Sequence, residues 1–284
     1  MQVMKELARA IWLSLLFWHK IGAVPAITVV FRSLFGHAHR PFRVHLGKWG
    51  EVYLRPRTSD MFVLRQIFVD MEYDIRRFPQ FKDLWARYQR LLNEDMKPLI
   101  LDCGANIGLS TIYWARLFPE AAICAVEPSD DNFRMLLRNT GGISGVTVEQ
   151  AALWRTDGEL RFRNPGADGW ALAVEEGAGG SPRSFVRGVS PSVLVREQMA
   201  KLKRGALFLI KMDIEGGERD LFDDATLAQD TACLIVELHD WLYPNQHTSR
   251  SFLRFLAHSD REIAVCGENI VVFPRQPALD GAAA

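Results

Sequence analysis

Residues 99–111, LILDCGANIGLST, constrain the fold of this chain more than any other stretch. Leu99, Ile100 and Leu101 form a short, wholly apolar run of the kind that a strand buried on both faces requires. Asp102 ends the run, and Gly104, Ala105 and Gly108 make a turn with almost no side-chain bulk. Asn106 sits where a helix can begin, and Leu109 to Leu117 supplies the apolar residues of that helix. A strand, a small-residue turn and a helix N-terminus together make a cradle in which backbone N–H groups meet a ligand. An acid at the strand tip calls for a ligand that presents a donor or a positive group there, and it disfavours a pair of phosphates.

The glycine spacing is D-x-G-x-x-x-G, from Asp102 through Gly104 to Gly108, and not the G-x-G-x-x-G of dinucleotide sites. A second apolar strand, Ala121 to Val126, ends in Glu127, where one carboxylate can accept from both hydroxyls of a ribose. The turn and that acid together resemble the S-adenosylmethionine (SAM) site of Rossmann-like methyltransferases. Further along, Val146–Val148 reads as a third strand, with small Ala151 and Ala152 at its tip leaving room for a flat ring. Ala206–Met212 runs into KMDIEGGE, which places Asp213, Glu215 and Glu218 beyond a fourth strand tip. Glu218 suits a helix dipole, whereas Asp213 belongs to a site. Thr231–Leu238 is a fifth strand, with Glu237 and His239 at its end. In open α/β sheets ligands lie beyond the carboxyl ends of the strands, and Asp102, Glu127, Asp213 and His239 all occupy such ends.

The chain's 34 basic and 34 acidic residues are unevenly placed: the first 57 positions hold nine and two, leaving 25 and 32 for the rest. An acidic body without a basic, aromatic-rich stripe disfavours nucleic acid as a partner. Residues 1–31 combine basic charge with an apolar helical stripe that includes Val3, Leu7, Ile11, Trp12, Leu15 and Leu16. No uninterrupted run reaches the ~20 residues of a membrane span. The stripe suits a helix lying on an anionic membrane surface, or one that docks on the body or on a second copy in a homodimer. Cys103, Cys124, Cys233 and Cys266 lie in strand-like runs without metal spacing, as core thiols of a cytoplasmic protein do. Residues 42–57 read as two short strands around Gly47–Gly50, and Thr58-Ser59-Asp60 signals a helix start. Residues 158–163 suggest an added strand, and residues 164–182 read as the most loop-like stretch.

LDCGANIG, AVEP, IKMDIEGGE and IVELH, in this order, resemble the FkbM family of SAM-dependent methyltransferases. The segment RPRTSDMFVLRQIF, with Tyr73 beyond it, is similar to the stretch that precedes the core in that family. The resemblance covers roughly residues 50–274. It implies an α/β fold: a Rossmann-like class I methyltransferase sheet of seven strands, the last reversed, with helices on both faces. To this is added a helical and β-hairpin N-terminal extension. The expected divisions are a basic amphipathic segment (1–45), a pre-core hairpin and helices (46–98), the core (99–274) and a flexible tail (275–284).

The resemblance also implies O-methylation of a hydroxyl on a sugar, glycan or natural-product acceptor. By match, Asp102, Gly104, Asn106 and Gly108 line the cofactor and Glu127 holds the ribose; Ala151, from its small size at the third strand tip, is expected beside the ring. Asp213, Glu215, Glu237 and His239 flank the acceptor. His239 is the expected base, neutral at pH 7 with an unperturbed pKa of about 6.5, and Asp213 assists it. No metal is expected: Asp213, Glu215 and Glu237 are oxygen donors suited to magnesium, but spacing alone makes no cage. The competing class is a methyltransferase fold that holds SAM or a partner without catalysis, since fold does not imply function.

Overall fold

In the computed structural model, the structure describes residues 12, 14–37, 40–162, 174–176, 185–223, 227 and 231–274. The expected tail, the first eleven residues of the amphipathic stripe and most of the loop-like stretch lie outside them. Within that stretch Val174–Glu176 is a strand, not loop.

Among the described residues the centre is a seven-stranded sheet. Its parallel strands are β3 (Lys97–Cys103), β4 (Ala122–Val126), β5 (Val146–Glu149), β10 (Gly205–Met212) and β11 (Cys233–Glu237), and an antiparallel pair, β12 (Arg261–Cys266) and β13 (Asn269–Pro274), completes it. The spatial order is β12-β13-β11-β10-β3-β4-β5, with β13 antiparallel to β11, so the reversed strand sits between β12 and β11. The chain reverses direction across the sheet between β3 and β10, and such a reversal opens a crevice at the strand ends.

The central strands are buried on both faces, and their side chains divide between two cores with the period of two that a pleated strand imposes. Ile100, Ile123, Phe208 and Ile235 enter one core; Leu101, Cys124, Ile210, Leu234 and Val236 enter the other. The second core is closed by Leu194 of α6 (Pro191–Ala200), by Leu221 and Phe222 of a 3₁₀ turn, and by Phe252 of α7 (Arg250–His258). A smaller sheet, in the order β6-β9-β7-β8, stands beside it; its strands are Ala151–Leu153, Phe185–Val189, Gly158–Phe162 and Val174–Glu176. The added strand expected near residue 158 is therefore one of four.

The first core is built largely by the N-terminal extension. Phe17, Val29 and Val30 from the first helical residues join Val44, Leu54, Leu64, Phe68 and Tyr73, and all pack with Tyr113, Trp114 and Phe118. The extension is thus one covering layer of the sheet. Its elements are α1 (Ala23–Phe35), a hairpin of β1 (Phe42–His45) and β2 (Glu51–Leu54), α2 (Asp60–Leu64) and α3 (Phe81–Asn93). The expected boundary at residue 45 would cut this hairpin between its strands, since Phe42 pairs with Leu54 and His45 with Glu51.

Asn139, on α5 (Asp130–Thr140), fastens the hairpin to the core: its side chain bonds both backbone groups of Tyr53 and also donates to the Ile107 carbonyl. A second fastening is ionic. Arg55 reaches both oxygens of fully buried Asp60, at 2.7 and 3.1 Å, and donates at 2.7 Å to Asn132 on α5. Thr58-Ser59-Asp60 does start a helix, but Ser59 makes no side-chain cap; Asp60 is there to hold Arg55. Beyond α2 the helix widens into a π turn, Arg65–Val69, whose Arg65 and Gln66 reach the central cleft.

Removing one partner of a buried, hydrogen-bonded pair leaves an uncompensated charge. Asp60→Ala should therefore cost about 3–5 kcal/mol in urea unfolding. Arg43→Ala, which breaks an exposed pair with Glu51, should cost less than about 1 kcal/mol in the same assay.

Candidate active site

The strand tips open into one cleft of about 890 Å³, within the range of small-ligand sites. Its floor is the turn after β3, with Gly104, Ala105, Asn106 and Ser110; one wall carries Lys211, Asp213, Glu215, Glu237 and His239. The opposite wall comes from the extension through Met61, Phe62, Gln66 and Tyr73.

The turn owes its shape to residues that tolerate left-handed backbone. Gly104, Asn106 and Gly108 have φ of 76°, 51° and 87°. A Cβ on Gly104 would lie 1.7 Å from the Asp213 carbonyl oxygen, so glycine there allows the β3 and β10 tips to touch. Gly108 immediately precedes α4 (Leu109–Leu117) and meets Leu136 and Thr140 of α5. It sets a helix–helix approach and does not line the cleft.

Two of the expected cofactor acids also lie behind the wall. Asp102 was expected to face a positive group of the ligand. It is fully buried instead, its Oδ2 accepting from Ser110 at 2.8 Å and Thr111 at 2.6 Å, because the hydroxyls of the first turn of α4 capture it. Its Oδ1 lies 3.7 Å from Lys211 Nζ. Glu127 accepts from the peptide N–H groups of Asn106 and Ser129, both at 2.9 Å, so it shapes the turn where an open ribose acceptor was expected. Burial pushes its carboxyl up to about 7 against those bonds. Ala151 is buried in β6 against the second core, away from the cleft walls, because residues 151–153 pair with β9 and do not end as an open tip. Gly104, Asn106, Asp213, Glu215, Glu237 and His239 do share the cleft.

Lys211 carries no assignment from the sequence, yet it occupies the centre. It is a lone cation in an apolar strand, 1% exposed, and its Nζ donates to the Gly104 carbonyl at 2.7 Å and lies 3.5 Å from Asp213 Oδ2. It also stands over the ring of buried Tyr73 at 5.8 Å, a cation–π distance. Burial disfavours its charge, but Tyr73, Asp213, Asp102 and Glu237 more than offset that and raise its pKa. The signal available in sequence was the lysine itself, since an unpaired charge in a buried strand is costly.

His239 is the second centre. The ring is 1% exposed, and Glu218 Oε1 receives the His239 backbone N–H at 2.9 Å and faces its Nδ1 at 3.3 Å. Glu218, assigned from sequence to a helix dipole, is fully buried and orients this imidazole. Nε2 faces Asp213 and Glu215, each at 3.6 Å, and Glu237 at 3.7 Å. Burial works against a charged imidazole, but the Glu218 bond and the charges of Asp213, Glu218 and Glu215 outweigh it and lift His239 to about 9. The ring expected as a neutral base thus sits among acids that favour its protonated form. Burial and the neighbouring Asp213 raise Glu215 and Glu237 to about 8 each.

Gly104→Ala should collapse the cradle, because the new Cβ meets backbone and the residue must keep a positive φ. Overpacking and left-handed strain together predict a loss of about 2–5 kcal/mol in chemical denaturation. Gly47→Ala, with nothing within 4 Å of the new carbon, should lose only the left-handed term, about 1–2 kcal/mol.

Residues 102–263 match the methyltransferase FkbM domain family. The chain is 27% identical over 191 residues to methyltransferase 1 of Beauveria bassiana (strain ARSEF 2860), covering 60% of this chain and 70% of that protein. It is 32% identical over 111 residues to methyltransferase sdnD of Sordaria araneosa, covering 38% of this chain and 37% of that one. Among solved structures, the Methanococcus jannaschii fibrillarin pre-rRNA processing protein aligns over 64% of this chain and 68% of its own, at 10% identity and a TM-score of 0.36. With the cradle, the acidic strand tips and the match over more than half its length, the chain belongs to the FkbM methyltransferase family.

Proposed function

We propose that the protein transfers a methyl group from SAM to a hydroxyl of a sugar, glycan or natural-product acceptor. The observation that carries this reading is the opening of the Gly104 cradle and the Asp213–His239 wall into one cleft. The residues present fit the cofactor. Asn106 Oδ1, at the cleft floor, is buried without a hydrogen-bond partner among the described residues and calls for a donor from a ligand. Asp213 supplies negative charge for a sulfonium or an ammonium, and a cation bound beside Glu215 and Glu237 favours their ionisation as well. Bound SAM supplies an electrophilic methyl on a positively charged sulfur, so the protein's task is alignment and proton removal.

The acceptor enters past Phe62 and Trp241, exposed aromatic residues of the cleft lining against which a sugar face or an apolar ring can pack. Its hydroxyl donates to Asp213, whose Oδ2 is held by Lys211 while Oδ1 faces the cluster. Asp213 therefore takes the leading role in proton acceptance expected of His239, and His239 orders the carboxylates around it. Asp213→Asn keeps the shape and removes the charge. It should lower kcat about 10²–10⁴-fold, as loss of a positioned base does, with SAM affinity within a few-fold of wild type by calorimetry. Transfer of labelled methyl from SAM to a panel of glycans and small alcohols tests the reaction itself. A protein that binds neither SAM nor its demethylated product would remove this reading.

Attachment to an anionic membrane surface is a separate part of the proposal. One face of α1 (Ala26, Val29, Val30, Ser33) packs on the body, while Val24, Ile27, Phe31 and Phe35 recur along an outward face. Trp12, Leu15 and Trp18 extend the exposed apolar surface, with Lys20 and Arg32 nearby in sequence. No helix among the described residues is long and apolar enough to cross a membrane. Replacing Ile27 and Phe31 by Ser should reduce sedimentation with phosphatidylserine vesicles at least several-fold and leave SAM binding unchanged. Equal sedimentation of both proteins would leave a second copy of the chain as the partner of this face.

A further inference from the structure

The wall of the cleft holds an arrangement that a carboxylate–histidine contact does not explain. Glu218 receives the Nδ1 side of His239, so the ring is fixed with Nε2 pointing into the space between Asp213, Glu215 and Glu237. None of the three carboxylates is closer to Nε2 than 3.6 Å, beyond hydrogen-bond length. A protonated Nε2 buried at this point would draw one carboxylate to about 2.8 Å. An unprotonated Nε2 would turn its lone pair on three acids. Neither state is satisfied by the groups present, and a cation among Nε2, Asp213 and Glu215 satisfies all three.

We propose that His239, Asp213 and Glu215 form a binding site for one divalent cation of the Mg²⁺/Mn²⁺ class, with Glu237 beside it. One ligand atom from each of Asp213, Glu215 and His239 lies within 4.8 Å of the others. Donors on one ion with bonds of about 2.1 Å stand about 3.0 Å apart when adjacent and about 4.2 Å when opposite. Nε2 stands 3.6 Å from both Asp213 and Glu215, so binding needs a contraction of about 0.6 Å there, which side-chain rotation supplies. Two carboxylates to one imidazole, with water completing the shell, is an oxygen-rich set that favours Mg²⁺ or Mn²⁺ over copper.

The outer groups suit the task as well. Glu218 fixes the imidazole as the carboxylate of a carboxylate–histidine–metal relay does. Lys211 takes Asp213 Oδ2 and leaves Oδ1 for the ion. Glu215 is held by its backbone, since Tyr243 donates to its carbonyl at 3.0 Å. The site opens to the cleft, where water or an acceptor hydroxyl completes the coordination.

The ion's part in catalysis rests on the methyl-transfer reading above; its binding does not. Coordination to the ion would acidify the acceptor hydroxyl, whose proton passes to Asp213 as above. The acceptor oxygen's lone pair then forms the C–O bond, while the electrons of the broken C–S bond stay on sulfur and neutralise the sulfonium.

Titration of the full chain with Mn²⁺ after chelator treatment, without SAM, tests the site by electron paramagnetic resonance. One Mn²⁺ per chain is expected, with spin-echo modulation from a single imidazole nitrogen. His239→Ala should abolish that modulation and weaken binding more than 10-fold, and Glu218→Gln, a positioning change, should weaken it 10–100-fold. Asp223→Asn, in an exposed pair with Arg254, should change nothing. Circular dichroism melts confirm that each variant folds. No binding at millimolar Mn²⁺, or binding that His239→Ala and Asp213→Asn leave intact, overturns the proposal. Stoichiometric Mn²⁺ without any methyl transfer supports the site and counts against the methyl-transfer reading. Methyl transfer that survives chelation at full rate overturns the ion's catalytic part.

Discussion

The buried ammonium of Lys211 holds the active end of the sheet together. It sits where β3 and β10 run side by side, with Lys211 paired in register to Asp102 and Met212 to Cys103. Neighbours in register on parallel strands point to the same face, so the cation and Asp102 meet without any side-chain search. From that position the ammonium bonds the Gly104 carbonyl, faces Asp213 and packs over Tyr73. Four elements (the β3 strand, the glycine turn, the β10 tip and the N-terminal extension) therefore share one charge. Removing it would leave Asp102 buried beside an empty space, which is far costlier than losing a surface pair.

The same economy of contacts explains why the extension belongs to the catalytic unit. Its apolar residues form one face of the core, Asn139 and Arg55 fasten it, and its Tyr73 and Phe62 line the cleft. Asn139 bonds Tyr53 on one side and the Ile107 carbonyl on the other, so hairpin and glycine turn are held by one amide. A cleft with one wall from the sheet and one from a covering layer can open or narrow only if that layer moves. The arrangement excludes water from Lys211 and His239 while leaving Asp213 and Glu215 partly open. Low dielectric on one side and access on the other is what a charge-dependent transfer needs.

The acidic strand tips divide by depth into two groups that look alike in sequence. Asp102, Glu127 and Glu218 are inner acids whose oxygens serve hydroxyls, peptide N–H groups and an imidazole. Asp213, Glu215 and Glu237 are outer acids that face the cleft. Inner acids build the site, and outer acids meet what enters it. The setting of His239 follows from this division: acids on both sides of the imidazole favour its charged form beyond what its free pKa suggests.

Apart from the reversed last strand, which only the family resemblance implied, the sequence by itself determined the strand–turn–helix unit at residues 99–117, the succession of strands along the chain and the hairpin. These rest on short-range rules: apolar runs of strand length, glycines where φ must be positive, and turn residues between strands. It also placed Asp213, Glu215, Glu237 and His239 at strand ends, because a strand tip is a position along the chain. The tertiary structure alone decided which of those ends touch, and on what terms. That Lys211 neutralises Asp102, that Glu218 orients His239, that Ala151 belongs to a second sheet, and that the first 98 residues help to build the main core, all depend on strand register and layer packing. Such contacts join residues tens to hundreds of positions apart, and local periodicity carries no record of them. Burial then sets the charge states, since the cost of a charge depends on its surroundings in space and not on its neighbours in sequence.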